Sequence, residues 1–65
     1  MFALTVNDTV RLARGNWVVT EAVITDVKEA YYIAKTVLGQ KWRIPVASVK
    51  AYGSDRYTHQ YTRAS

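Results

Sequence analysis

The sequence predicts an all-β fold, a small barrel of five short strands with one turn of 3₁₀ helix before the last strand. β-branched residues are abundant, and no long segment repeats apolar residues at helical spacing. Residues 39–49 are the most informative stretch, since a glycine turn precedes a strand in which Trp42 and Ile44 share one face. Pro45 ends that strand because proline has no N–H to donate to a ladder.

The strands follow one another as a meander, separated by polar turns. They are predicted at residues 10–13, 17–27, 31–37, 40–44 and 49–52. The turn at residues 14–16 contains glycine and asparagine, which tolerate positive φ. The second strand is too long to be flat, so we expect it to bend and to belong to both sheets of the barrel.

Alternation along the strands assigns side chains to the two faces. The positions predicted inward are Val10, Leu12, Val18, Ala22, Ile24, Val27, Tyr31, Ile33, Trp42, Ile44, Val49 and Ala51. A bulge near Thr25-Asp26 is required to keep Ile24 and Val27 on the same face. The third strand is ambiguous by pattern, and placing Ile33 inward turns Tyr32 outward.

The composition changes after Tyr52. Residues 53–65 contain no aliphatic residue larger than alanine, which predicts a flexible, polar and basic tail behind a barrel of residues 1–52. The tail interleaves basic residues with tyrosines, which would suit nucleic acid or a partner groove, although a solvated terminus is the favoured interpretation. His59 has no companion at ligand spacing, so it indicates neither a metal site nor a base.

Composition excludes several classes of protein. The chain has no cysteine, which excludes disulfides and thiolate metal sites, and no cofactor is expected. Its three glycines are isolated, and no nucleophile is adjacent to a base, so no enzyme is expected. The apolar start at residues 1–4 is too short for a signal peptide or a membrane span. These features predict a cytoplasmic protein without a membrane partner.

The order of these features resembles the Tudor and related SH3-like barrel superfamily over residues 9–52. The resemblance is carried by Trp17, Ala22-x-Ile24-x-x-Val27, the strand Tyr31 to Lys35, Gly39-Gln40 and Pro45-Val46-Ala47-Ser48-Val49. The basic strand before Pro45, continued to Tyr52-Gly53, is also similar to the C-terminal DNA-binding barrel of retroviral integrases. The resemblance implies a five-stranded SH3-like barrel, a fold that hosts nucleic-acid binders, peptide readers and a reductase.

The reductases of this fold are the plasmid-type dihydrofolate reductases, whose active site uses a Val-Gln-Ile-Tyr run. The matching place here is Lys41-Trp42-Arg43-Ile44. This departure removes the residues that would support the activity.

Charge predicts the kind of partner. Nine lysines and arginines against five acidic residues give a net charge of +4, which favours a polyanion. The cations predicted outward are Arg11, Arg14, Lys41, Arg43 and Lys50, and the aromatic residues among them are Trp17, Tyr32 and Tyr52. Cations contact phosphates and aromatic rings stack on bases, so these residues predict a nucleic-acid-binding surface, for DNA more than RNA. We expect a small accessory or regulatory protein.

An apolar surface is the alternative. Trp17 and Val19 are predicted outward on the second strand, where an exposed apolar patch marks an interface. They would serve a protein-interaction module, an adaptor or inhibitor, or a homo-oligomer that compensates for a thin core. An aromatic cage for a methylated cation is disfavoured, because the net positive charge would repel such a ligand.

Overall fold

The computed structural model describes residues 4–64 and contains no α-helix in that range. The strands are β1 (Thr9–Arg14), β2 (Trp17–Val27), β3 (Tyr31–Thr36), β4 (Lys41–Pro45), β5 (Lys50–Tyr52), β6 (Asp55–Thr58) and β7 (Thr62–Arg63). A 3₁₀ helix, Val46–Ser48, joins β4 to β5. The all-β class and the 3₁₀ turn are confirmed. Residues 1–3 and 65, which the predicted barrel and tail include, lie outside the described range.

The seven strands form one sheet in the order β5-β6-β1-β2-β3-β4-β7. Neighbouring strands are antiparallel except β1 and β6, which are parallel. The sheet has two edges, β5 and β7, so it is open. The prediction of a closed barrel of five strands is therefore wrong, although β1 to β4 form the predicted meander.

The sheet encloses its own core. A sheet that no helix covers buries side chains only by curling on itself. The buried cluster consists of Leu4, Val10, Leu12, Ala22, Ile24, Tyr32, Ala34, Ile44 and Val49. The connection between β6 and β7 covers part of the open side, since Tyr61 packs against this cluster and its hydroxyl donates to the Ala13 carbonyl at 3.4 Å.

The segment predicted as a tail belongs to the sheet. β6 lies between β5 and β1, and β7 pairs with β4. Thr58 is fully buried, with its hydroxyl 2.8 Å from Ser48 Oγ and accepting the Gln60 N–H at 3.2 Å. Backbone hydrogen bonds and the hydrogen bonds of the buried Thr58 hydroxyl therefore hold this segment in the sheet, although it has few apolar side chains.

The two faces of β3 are the reverse of the prediction. Tyr32, Ala34 and Thr36 are buried, while Tyr31 and Ile33 lie half-buried on the outer face. Tyr32 is 3% exposed, and its hydroxyl accepts the buried Leu4 N–H at 3.2 Å. The interior accommodates the small Ala34 and gives the Tyr32 hydroxyl a partner. Tyr32 is therefore a core residue and is unavailable to nucleic acid.

Two irregularities shape β2. The register with β3 shifts between Ile24 and Asp26, which confirms the predicted bulge. A second shift, opposite Leu12 and Ala13, leaves Val19 without a partner on β1 and was not predicted. Because a bulge interrupts alternation, Val18 is exposed rather than inward.

Of the other residues predicted to face inward, most are buried and two are exposed. Those confirmed as buried are Val10, Leu12, Ala22, Ile24, Ile44 and Val49, and Trp42 is partly buried against the core. Val27 and Ala51 are exposed, so their inward assignments are wrong. Both lie at the periphery, Val27 at the end of β2 and Ala51 on an edge strand.

Candidate nucleic-acid interface

The outer face of the β3–β4 hairpin brings three basic side chains together. The register sets Lys35 opposite Lys41, Ile33 opposite Arg43 and Tyr31 opposite Pro45. Directly opposite residues share a face, so all six lie together. We call these residues the hairpin surface. Its three cations are exposed.

The charges of the hairpin surface are not neutralised by carboxylates within the described residues. Across residues 4–64, no ion pair includes Lys35, Lys41 or Arg43. Like charges directly opposite each other weaken a sheet, so the Lys35–Lys41 pair does not serve stability. The arrangement favours a bound anion.

Arg43 is held over an aromatic ring. Its guanidinium carbon lies 4.9 Å from the centroid of the Tyr31 ring, a cation–π contact that orients the side chain. Both residues line a cleft of about 480 Å³ with Pro45 and residues 59–62. The contact also covers one face of Tyr31, which reduces the ring area open to a base.

Arg11 belongs to a different environment. It is half-buried and lies 3.3 Å from Glu21 Oε2 and 3.7 Å from Asp55 Oδ1. Its guanidinium carbon is also 5.7 Å from the centroid of the Tyr57 ring. Two carboxylates therefore compensate the charge that was predicted to bind phosphate.

The other predicted residues are not part of the hairpin surface. Lys50 and Tyr52 are exposed on β5, and the Tyr52 ring packs edge-on against Tyr57 with centroids 5.4 Å apart. β5 pairs with β6 and not with either strand of the hairpin. Arg14 is opposite Trp17 beside the β1–β2 turn. The predicted set is thus divided among three regions, and only Lys41 and Arg43 fall on the hairpin surface.

Lys35 was missed by sequence reasoning. It shares a face with Ile33, so assigning Ile33 to the core removed Lys35 from the outer surface as well. With the correct face assignment, Lys35 would have been predicted on the outer face, opposite Lys41 on the neighbouring strand.

The apolar candidate residues are exposed, as predicted. Trp17 is 73% exposed at the start of β2, and Val19 is exposed at the bulge. Together with Val18 they form three consecutive exposed apolar residues. This segment is a second candidate surface, distinct in chemistry from the hairpin surface.

Residues 4–64 contain no group of three or more histidine and acidic side chains arranged to hold a metal ion. Within the same range no helix has the length and apolar character needed to span a membrane.

Comparison with known proteins assigns the chain to no family. No protein-family model matches it, and no match is found among curated proteins or among solved structures.

Proposed function

We propose that the protein binds nucleic acid, DNA in preference to RNA, through the hairpin surface, as a small accessory or regulatory protein. One observation carries the proposal. Lys35, Lys41 and Arg43 are exposed on one face without a carboxylate partner among residues 4–64. Phosphate groups are the natural partners of such a group of cations.

The spacing of the cations suits a charged backbone. Lys41 and Arg43 are two residues apart on β4, which separates their Cα atoms by about 7 Å. Lys35 stands directly across the hairpin from Lys41. Three donors spread over two strands reach different phosphate groups, and the net charge of +4 adds long-range attraction.

Phosphate contacts rather than base stacking account for the proposed affinity. Arg43 covers one face of Tyr31, and Arg63 lies over the Trp42 ring at 5.5 Å. Tyr32, the third aromatic residue of this hairpin, is in the core. Contacts to phosphate fix position and not sequence, so we propose weak sequence preference and strong dependence on salt.

The resemblance to SH3-like barrels supports the same proposal. The meander β1 to β4 followed by a 3₁₀ turn has the element order of those barrels. The similarity of the basic β4 strand to the DNA-binding barrel of integrases concerns the strand that contains Lys41 and Arg43.

The salt dependence of DNA binding tests this function. Replacing both Lys35 and Lys41 with glutamine removes two phosphate contacts, so the slope of log affinity against log salt is expected to become less steep by about 1.8. Fluorescence anisotropy with a labelled DNA measures the slope for wild type and variant. An unchanged slope would remove these lysines from the interface.

A second candidate function is a protein-interaction module that docks through Trp17 and Val19. The observation that favours it is the exposure of Trp17, at 73%, within a run of apolar side chains. Large aromatic side chains dominate binding energy at protein interfaces. Retention of full DNA affinity by a Trp17→Ala variant would assign this surface to a separate role, and loss of affinity would make it part of the DNA interface.

A further inference from the structure

The turn between β3 and β4 has a well-defined backbone. The Gly39 N–H donates to the Thr36 carbonyl at 2.9 Å, and Gly39 has φ +85°, where a residue with a side chain is strained. Thr36 Oγ1 accepts the Gln40 N–H at 3.3 Å. These bonds describe a short hairpin loop whose left-handed glycine returns the chain to β4. Val37 and Leu38 are its two central residues.

Val37 and Leu38 are 99% and 86% exposed, the highest values among large hydrophobic residues in the described part of the chain. The centre of a turn usually holds glycine, proline, asparagine, aspartate or serine, each for a backbone reason. Neither aliphatic side chain meets such a need, and neither reaches the core. An apolar environment supplied by a binding partner would bury this pair.

Positive charge flanks the pair on both strands. Lys35 and Lys41 lie directly opposite each other, one residue outside the Thr36–Gln40 bonds that close the turn. The Lys35 side chain runs along the turn, since its Cε is 3.9 Å from the position that a Cβ on Gly39 would occupy. The hairpin tip (Val37, Leu38) is therefore an apolar wedge with an ammonium-bearing side chain on each of the two strands behind it. Duplex DNA has the complementary pattern, with apolar stacked bases between two rows of phosphates.

We propose that the hairpin tip enters a groove of duplex DNA and partly unstacks one base step, so that the duplex bends. Val37 and Leu38 would contact the bases, and Lys35 and Lys41 the phosphates on either side. Apolar wedges flanked by cations act in this way on the minor groove. This inference rests on the proposed function and deepens it, because it selects the duplex over the single strand and adds a deformation.

The distribution of charge favours DNA over a lipid surface. A bilayer would meet the tip end-on and would contact the cations nearest to it. The positive charge continues down the hairpin to Arg43, two residues beyond Lys41 on the same exposed face. The phosphate rows that wall a groove about 8 Å deep rise beside an inserted hairpin and reach all three cations, which a planar membrane at the tip does not.

Bending is measured with a duplex of about 25 base pairs labelled at both ends with a fluorescence donor and acceptor. The full chain is added at low salt, and energy transfer is recorded with affinity. The wild type is expected to raise energy transfer. The Val37→Ser/Leu38→Ser variant is expected to bind the duplex without raising it. Val6→Ser, a change at another apolar turn residue, which is 50% exposed, is the control and is expected to bend the duplex as the wild type does.

The outcomes separate the inference from the proposed function. Wild-type binding without a rise in energy transfer, or a rise that persists in the tip variant, overturns the wedge and leaves phosphate binding intact. Absence of duplex binding at low salt overturns both. Tip-dependent sedimentation with phosphatidylserine vesicles, without DNA bending, overturns the wedge in favour of a lipid surface.

Discussion

Reversing the charges of Lys41 and Arg43 together is expected to weaken DNA binding on the order of a hundredfold at moderate salt while leaving the fold intact. Both side chains are exposed on the outer face of β4. In the double variant Lys41→Glu/Arg43→Glu, the new glutamate at position 41 faces Lys35, so the sheet gains a favourable cross-strand pair. The lost contact between Arg43 and Tyr31 is worth about 0.5–1 kcal/mol at an exposed site.

The control for this experiment keeps the change in net charge and moves its location. Arg14→Glu/Lys50→Glu reverses two exposed cations on β1 and β5, outside the β3–β4 hairpin. It is expected to reduce only the long-range attraction, and therefore to weaken binding much less. Anisotropy titrations give the affinities, and circular dichroism establishes that both variants are folded. Equal losses in the two variants would show that binding follows overall charge and not the hairpin surface.

Ile44→Ala is expected to produce the largest loss of stability. Ile44 is fully buried and lies opposite Tyr32 in the core. Removing such a side chain costs about 2–5 kcal/mol, because apolar contact is lost and a cavity remains. A domain of 65 residues has a total stability of roughly 3–10 kcal/mol, so much of it would be lost. Urea denaturation followed by circular dichroism measures the difference in the free energy of unfolding.

Val37→Ala is the matched control for stability, since Val37 is almost fully exposed. Its effect is expected to be within about 0.5 kcal/mol. If Ile44→Ala were equally mild, the inward face of β4 would be wrongly assigned. The outward placement of Lys41 and Arg43 depends on that same alternation, so the hairpin surface would be wrong as well.

Local signals predicted the meander because its turns and strands are encoded in short stretches. Gly15 and Gly39 both adopt positive φ at the turns where glycine was the signal. Pro45 ends β4 as expected. The bulge between Ile24 and Asp26 followed from the need to bury apolar residues on one face of a long strand.

The face of β3 was not predictable from the pattern alone. Tyr31 and Tyr32 are identical in chemistry, and Ile33 is the larger apolar neighbour of Ala34. Tyr32 packs inward where its hydroxyl meets Leu4, which is 28 residues away in the chain. A contact at that separation cannot be inferred from the local sequence. Lys35 was left out of the predicted site for the same reason.

The last two strands escaped prediction because their pairing is non-local. β6 pairs with β1, whose residues are more than 40 positions earlier. Such pairing uses backbone groups and does not require an alternating apolar pattern. The same strand contains Asp55, which contacts Arg11, so this part of the compensation of Arg11 depends on a non-local pairing.

The most direct test of the central claim is a titration of the wild-type protein with labelled duplex and single-stranded DNA at low and moderate salt. The account predicts binding at low salt that weakens steeply as salt rises, with the duplex preferred. The slope would count the phosphates that the protein contacts. Absence of binding to either DNA at low salt would contradict the claim, and Trp17 would then be the place to search for a protein partner.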